Sequence, residues 1–543
     1  MKQRVRKHRK ALLALGLSAV VMVLFKLLGV MIYDTNDDYI MSALSYGYYG
    51  APQAGLIYVH PLLGGVYAGL QRLLPGVSWY LLGELALLWL AMAALYRLAM
   101  EREDWVPALA VLTVFYVGGL LLRLQYTKIA GAAAVSGILV VFWALRERRW
   151  GPLVLGFLLA LGGFCLRASA FFMVLIPLAG VGVAELLREA RAGEKGRAAA
   201  LIGTFVLLFA LCGGLLLGER LYYGENWAHY RQYNALRTEL MDYGFPDYEE
   251  NRGLYDSLSI SQADLDLFRG WDFGDPEVFN IDTMQALCQA KAPRDYSLGN
   301  ILRCCKGAVQ GMLRYDFAAG LLLAVLLWLW TANRKGLALG LYALAAMFAV
   351  EGWLLLAGRG LRARVDAPLM LAAMSILLLA CPRREGRELP KGRAGVLLAA
   401  AMALGQIPGW LGAKDDAMEK WQAAARVQQI YGELSADRDT LYFFREAELP
   451  PNLLPGRRGG FGCRANIGSL GGWLTDSPYV KERNEAFGVS NPFRDMVDAE
   501  NIRLVSSDPE PVLAYIRAHY AENARAERVG EVENCGIYAI VSG

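Results

Sequence analysis

The sequence predicts an all-α polytopic membrane protein with about eleven transmembrane helices, interfacial helices in its first outside loop, and a small α/β extracytoplasmic C-terminal domain. Three observations lead there. The 543 residues are 55% hydrophobic and only 20% charged, with a mean hydropathy of +0.30, more apolar than soluble chains of this size. Apolar runs near the ~20 residues that a bilayer core requires recur along the chain. Basic residues alternate with those runs in the manner that sets membrane orientation.

The runs fall near residues 11–32, 78–99, 105–122, 127–145, 151–166, 168–187, 199–219, 314–331, 337–357, 365–381 and 393–411. The first is longer than a signal-peptide core, and no small-residue cleavage site precedes the acids after it, so it reads as a retained signal-anchor. The N-terminus "MKQRVRKHRK" is strongly basic and is expected in the cytoplasm. "RERRW" (146–150), "REARAGEKGR" (188–197), "ANRKG" (332–336) and "PRREGRELPKGR" (382–393) then fall on the same side. Segments 33–77, 220–313 and 412–543 fall outside, and the first of them has one basic residue, Arg72. An odd span count puts the termini on opposite sides. A cysteine replacing Ser542 should therefore react with an impermeant thiol reagent in intact cells; labelling only after permeabilisation would reverse the topology.

Each outside segment has its own pattern. In 33–77, "DDYIMSALSYGYY" and "HPLLGGVYAGLQRLL" read as amphipathic pieces lying on the membrane surface. In 220–313, "SQAD" at 261–264 reads as a capping box before a short helix. Residues 412–543 have the size of one domain. That domain opens on the helical "DDAMEKWQAAARVQQIYGELS", passes through the Gly/Pro-rich "LPPNLLPGRRGGFGCRANIGSLGGW", and ends on the strand candidates "NIRLVSS" and "CGIYAIVS". Cys463 and Cys535 are the only cysteines of that domain. On an oxidising side they are expected to form a disulfide worth ~3–5 kcal/mol in the chain-entropy model. Four histidines and no Cys/His spacing of a zinc site argue against a metal cage.

Candidate chemistry begins where the first run ends, in "YDTNDDYIMSALSYGYYG" (33–50). Asp37 and Asp38 fit two roles. Asn36 or Asp37 fits an N-cap with acids favouring the helix dipole, and a surface carboxylate pair fits a general base or a metal ligand. The features that follow shift the balance towards the second: exit from the first span, acid pair, aromatic interfacial helix, the Pro stretch "HPLLGG" (60–65), then "LLPGVSWYLL" (73–82) leading into the second span. This order, over roughly residues 1–100, resembles the C-type multi-pass glycosyltransferases, which use sugars carried on polyprenyl phosphate. That family often has Lys-Pro-Pro where this chain has His60-Pro61-Leu62. The resemblance implies a transmembrane catalytic domain over 1–411 followed by the 412–543 domain. It makes Asp37 the base, leaves Asp38 to assist by binding a metal or positioning the acceptor, and puts His60 near the substrate.

Topology alone supplies a second constellation. Arg123, Lys128, Arg167, Arg359, Arg362 and Arg364 lie in short outside turns, against the positive-inside bias. Cations snorkelling to lipid headgroups would account for them. So would a lipid-linked phosphate, which guanidinium binds through paired hydrogen bonds. A third is "LYYGENWAHYRQYNALRTELMDYGFPDY" (221–248), where Tyr222, Tyr223, Trp227, Tyr230 and Tyr233 fit either sugar stacking or an interfacial aromatic belt.

Together these predict a glycosyltransferase in the plasma membrane. It would move a sugar from a polyprenyl-phosphate donor to an extracytoplasmic glycan, lipid or protein, with inversion, and nucleic acid has no part in it. A divalent cation, Mg or Mn, is compatible with the acid pair. The rival readings are a flippase of a lipid-linked saccharide and an oligosaccharide polymerase or ligase. Span centres nearly free of charge, with Lys26 and Glu84 as partial exceptions, disfavour the flippase.

Overall fold

A computed structural model gives the architecture; it describes residues 2–47, 51–448 and 465–543. The helices in the first half are α1 (Lys2–Leu27), α2 (Asn36–Tyr46), α3 (Pro61–Leu73), α4 (Trp79–Ala99), α5 (Trp105–Phe115), α6 (Tyr126–Arg146), α7 (Trp150–Leu166), α8 (Ala168–Arg191) and α9 (Lys195–Tyr223). Five shorter ones follow: α10 (Ala228–Tyr243), α11 (Arg252–Ser257), α12 (Gln262–Arg269), α13 (Ile281–Gln289) and α14 (Leu298–Met312). Then come α15 (Ala318–Thr331), α16 (Arg334–Leu356), α17 (Ala363–Ser375), α18 (Gly392–Gly405) and α19 (Ile407–Leu434). Among the described residues, eight helices are long and apolar enough to cross a membrane, and three shorter apolar helices accompany them: Trp105–Leu121, Trp150–Leu166 and Ala318–Thr331. Each predicted apolar run coincides with one of these helices. The chain is a polytopic helical membrane protein.

Helix α6 is the axis of the bundle, almost wholly buried. Its "AGAAAVSG" stretch is rich in small residues, and α7 packs on it backbone to backbone at Gly137 and Ala130. A Cβ on Gly137 would come 2.5 Å from the Ala160 nitrogen, and one on Gly163 would come 2.5 Å from the Ala130 carbonyl. By contrast α9 keeps most of its apolar side chains exposed, as a lipid-facing helix does.

Two short strands position the acid segment. A π-helical stretch, Tyr116–Leu121, continues α5 and delivers β2 (Arg123–Leu124) beside β1 (Ile32–Tyr33) in a parallel pair. The Asp34 N–H donates to the Leu124 carbonyl at 2.8 Å. Residues 34–38 are thereby pinned over the N-terminus of α6. Thr35, rather than Asn36 or Asp37, is the N-cap of α2, and both acids lie in its first turn. Gly47 ends α2 in the left-handed conformation (φ 101°).

The C-terminal region is an α/β unit. Its strands are β3 (Leu441–Phe444), β4 (Ile467–Ser469), β5 (Ile502–Ser506), β6 (Arg525–Val532) and β7 (Cys535–Val541), in the order β4-β3-β5-β7-β6. β4, β3 and β5 run parallel, and β7 and β6 antiparallel. Helices α20 (Pro478–Ala486), α21 (Pro492–Asp495) and α22 (Glu510–His519) complete it. The helical opening is continuous with the preceding apolar helix, since α18 and α19 form one run over Gly392–Leu434. The proposed pairing of Cys463 with Cys535 lies outside the described residues.

The second connecting segment is part of this unit rather than a loop over the bundle. Tyr233, Phe268, Phe273 and Phe279 share one core with Leu441, Phe443, Phe493 and Ile540. The expected capping box forms at Ser261 and Asp264, and Asp264 also meets His519 at 3.2 Å. Asp275, fully buried, accepts from Tyr515 Oη (2.9 Å), Tyr520 Oη (2.5 Å) and Asn491 Nδ2 (2.9 Å). Asp275→Ala strands those donors and should cost about 2–4 kcal/mol. It should appear as a lower melting temperature and faster proteolysis of residues 465–543; an unchanged melt would show that the seam does not depend on this carboxylate.

Candidate functional site

Asp37 and Asp38 point apart, as neighbours ~100° apart on a helix must. The Asp37 carboxylate lies at the mouth of the bundle. Its Oδ2 accepts from Arg364 Nη1 at 2.9 Å and from Thr35 Oγ1 at 3.2 Å. Oδ1 has no partner among the described residues. Asp38 turns inward and is fully buried. Its Oδ1 accepts from Tyr80 Oη and from the Tyr126 backbone N–H, each at 3.0 Å, and its other face meets Glu84 of α4. Burial pushes the Asp38 carboxyl above the usual carboxylate range. Asp38 therefore clamps α2 to α4 and α6. Among the described residues, no group of three or more His, Cys, Asp or Glu side chains is arranged to hold a metal ion.

The six basic residues divide by partner. Lys128 is buried and pairs with Asp34 at 2.9 Å. Arg123 pairs with Asp416 of α19 at 2.6 Å. Arg359 pairs with Asp242 at 3.0 Å, fastening α10 to the α16–α17 turn. Arg364 holds Asp37, and Arg362 is exposed at the N-cap of α17. Arg167, between α7 and α8, differs: it has no carboxylate partner among the described residues. Its guanidinium lies 4.7 Å from the centre of the Tyr58 ring and 5.6 Å from that of Tyr126, and those two rings stack with centroids 6.1 Å apart. Burial pushes the Tyr58 phenol up, Arg237 pulls it back, and the charge of Asp37 adds to the rise. Asp37 and Arg167 thus address the same tyrosine.

A cavity of about 230 Å³ opens at Arg167, lined among others by Tyr58, His60, Cys165, Ser169 and Glu219. His60 belongs to its wall. It is the N-cap of α3, taking the Leu62 N–H on Nδ1 (3.1 Å) and donating Nε2–H to the Leu215 carbonyl of α9 (2.8 Å). The aromatics of 222–230 mostly form a packed ladder. Two of them are buried: Tyr223, whose hydroxyl accepts from the Ile57 N–H (3.2 Å), and Tyr230, whose hydroxyl donates to the Trp473 carbonyl (2.8 Å). Trp227 bridges Tyr223, Tyr230 and Tyr479 edge to face. Tyr222 is exposed.

Three groups at the site escaped the sequence reading. Arg237 of α10 is buried, lies 5.2 Å from the centre of the Trp271 ring, and bonds Asn234 and Thr238. Trp473, from the C-terminal unit, packs 4.9 Å from Tyr58. Glu446, just past β3, is half-buried; burial pushes its carboxyl up to about 7, the Ser469 hydroxyl opposes this, and the charges of Asp272 and Asp37 add to the rise. The quoted segments contained Arg237 and Trp473, but nothing local in the sequence distinguishes them from surface residues. A further acid, Glu351 of α16, is buried without a partner for either oxygen among the described residues.

Comparison of the chain with models of known protein families, with characterised proteins and with solved structures found no match. Fold and composition define a polytopic helical membrane protein with a small C-terminal sheet region, and its cavity at Arg167 is lined by residues 57–60, 164–169 and 219.

Proposed function

We propose that this protein is a membrane glycosyltransferase that moves a sugar from a polyprenyl-phosphate carrier to a saccharide, lipid or protein acceptor at the cell surface. The observation that carries this reading is Arg167 packed on the Tyr58 and Tyr126 rings, with the Asp37 carboxylate close enough for its charge to act on Tyr58. Asp37 is anchored through Oδ2, with Oδ1 open to a hydroxyl. Arg167 packs on two rings and forms no ion pair among the described residues, although Glu219 lines the same cavity. It borders a cavity beside apolar, exposed side chains of α3 and α9, suited to a lipid-borne anion.

The chemistry follows. Asp37 takes the proton of the acceptor hydroxyl. The acceptor oxygen bonds to the anomeric carbon, the bond from that carbon to the phosphate oxygen breaks, and the electron pair leaves with the phosphate. Arg167 stabilises the charge gained there. Attack opposite the leaving group inverts the anomeric centre.

Buried acids inside the helices (Glu84, Glu351 and Asp366) are the feature a flippase would share. One experiment separates the two. Purified protein in detergent, where no gradient or second compartment exists, is given a short-chain polyprenyl-phosphoryl hexose. Release or transfer of the hexose supports the enzyme, and recovery of the donor intact after prolonged incubation with mixed saccharide acceptors overturns it. Native mass spectrometry with decaprenyl phosphate gives a second readout, binding that Arg167→Gln weakens.

A further inference from the structure

Glu446 lies in a cradle made for it. Its backbone N–H donates to Asp272 Oδ1 at 2.6 Å, and Asp272 is fully buried and held by Arg445 at 3.1 Å. The Ser469 hydroxyl donates to Glu446 Oε2. The glycines of "SLGGW" make the room: a Cβ on Gly472 (φ +86°) would come 2.7 Å from Oε2, and one on Gly471 would overlap the Trp271 carbonyl at 1.7 Å. The next residue is Trp473, packed against Tyr58. Trp473 is only 6% exposed, and its indole N–H has no acceptor among the described residues.

Two properties distinguish Glu446 from a structural acid. No cation pairs with it among the described residues, since Arg445 is committed to Asp272 and Arg364 to Asp37. It also keeps partial solvent access although the groups around it fix its backbone and one carboxyl oxygen. Asp37 and Asp272 are the charged groups that act on it. Asp37 lies near enough for its charge to act on Glu446, and two carboxylates so placed repel an anion and suit hydroxyl donors, to which carboxylates are acceptors.

We infer that Glu446 is an acceptor-positioning residue: it accepts a hydrogen bond from a second hydroxyl of an uncharged sugar while Asp37 takes the attacking hydroxyl. This rests on the transferase reading and deepens it. The α/β unit then serves as the acceptor-recognition half of the site and the helical bundle as the donor half.

The test uses the full-length protein in lipid nanodiscs and two probes, methyl β-glucoside and methyl β-glucuronide, which differ by one carboxylate. Binding is followed by tryptophan fluorescence. The glucoside should bind the parent protein about tenfold tighter than the glucuronide. Glu446→Gln should collapse that ratio towards one, and Glu446→Ala should weaken the glucoside about tenfold, the loss of one charge-assisted hydrogen bond. A purely structural role for Glu446 would change melting temperature without changing the ratio. Should Glu446→Ala fail to fold, the isosteric Gln variant decides. The inference is overturned if neither glycoside binds saturably, if the parent does not discriminate between them, or if the ratio survives in Glu446→Gln. Failure of the parent to release hexose from the lipid donor would instead overturn the transferase reading, whatever the glycosides do.

Discussion

Asp37→Asn should abolish sugar transfer, by about 10²–10⁴ in rate, while leaving expression and decaprenyl-phosphate binding in place. The substitution keeps the volume of the side chain and its contacts with Thr35 and Arg364, but removes the basic oxygen. It spares the N-cap, because Thr35 holds that position. The structural loss is one first-turn charge, worth about 0.3–1 kcal/mol, together with a partly exposed ion pair. A stability effect of that size cannot produce a hundredfold loss of rate in folded, purified protein. Asp38→Asn should behave differently from a mild catalytic variant: an amide facing Tyr80 and the Tyr126 N–H disturbs a buried clamp, so folded yield falls. Transfer by Asp37→Asn at the parental rate would assign the base to another acid, with Asp242 and Glu225 the next candidates.

The difference between the two acids shows what a sequence can and cannot disclose here. Length and composition of an apolar run are local properties, and so is the Ser261–Asp264 box; both were legible. The partner of a carboxylate is not. Asp37 finds Arg364 327 residues away, Asp38 finds Tyr80 42 residues away, and Arg359 finds Asp242 117 residues away. The basic residues in the short turns were recognisable as exceptions, but most of them answer a nearby acid, leaving Arg167 with the tyrosines. Glu446 was invisible because its position depends on Gly471 and Gly472 and on the docking of the second segment onto the sheet. No motif in "REAELPP" encodes that. A hydrophobic core shared by residues 233–288 and the C-terminal strands is likewise a long-range event.

Glu84 gives the second large effect. Asp38 and Glu84 are each fully buried and lie within hydrogen-bonding range of one another. Asp38 Oδ2 and both Glu84 oxygens have no well-formed hydrogen bond among the described residues, although the Tyr80 and Tyr33 hydroxyls lie close to Glu84, and no cation there pairs with either acid. Two ionised carboxylates cannot share such a place, so the pair carries a proton. The sign of the pH dependence follows from Asp38, whose carboxyl burial raises. The folded protein holds this proton more tightly than the unfolded chain, whose aspartates titrate near ~3.9. The stability so gained is present in full below that value and is lost as pH rises through the folded value. Melting temperature should therefore fall as pH rises from about 4 towards about 7. Glu84→Gln mimics the protonated partner, donating an amide N–H to Asp38, and should flatten that dependence while keeping the fold and the seat of Asp37. Glu84→Ala removes the donor, opens a cavity beneath α2, and should cost about 3–5 kcal/mol. Melting curves of the parent and Glu84→Gln from mildly acidic to neutral pH decide the matter: parallel slopes would mean that the shared proton does not hold α2 in place.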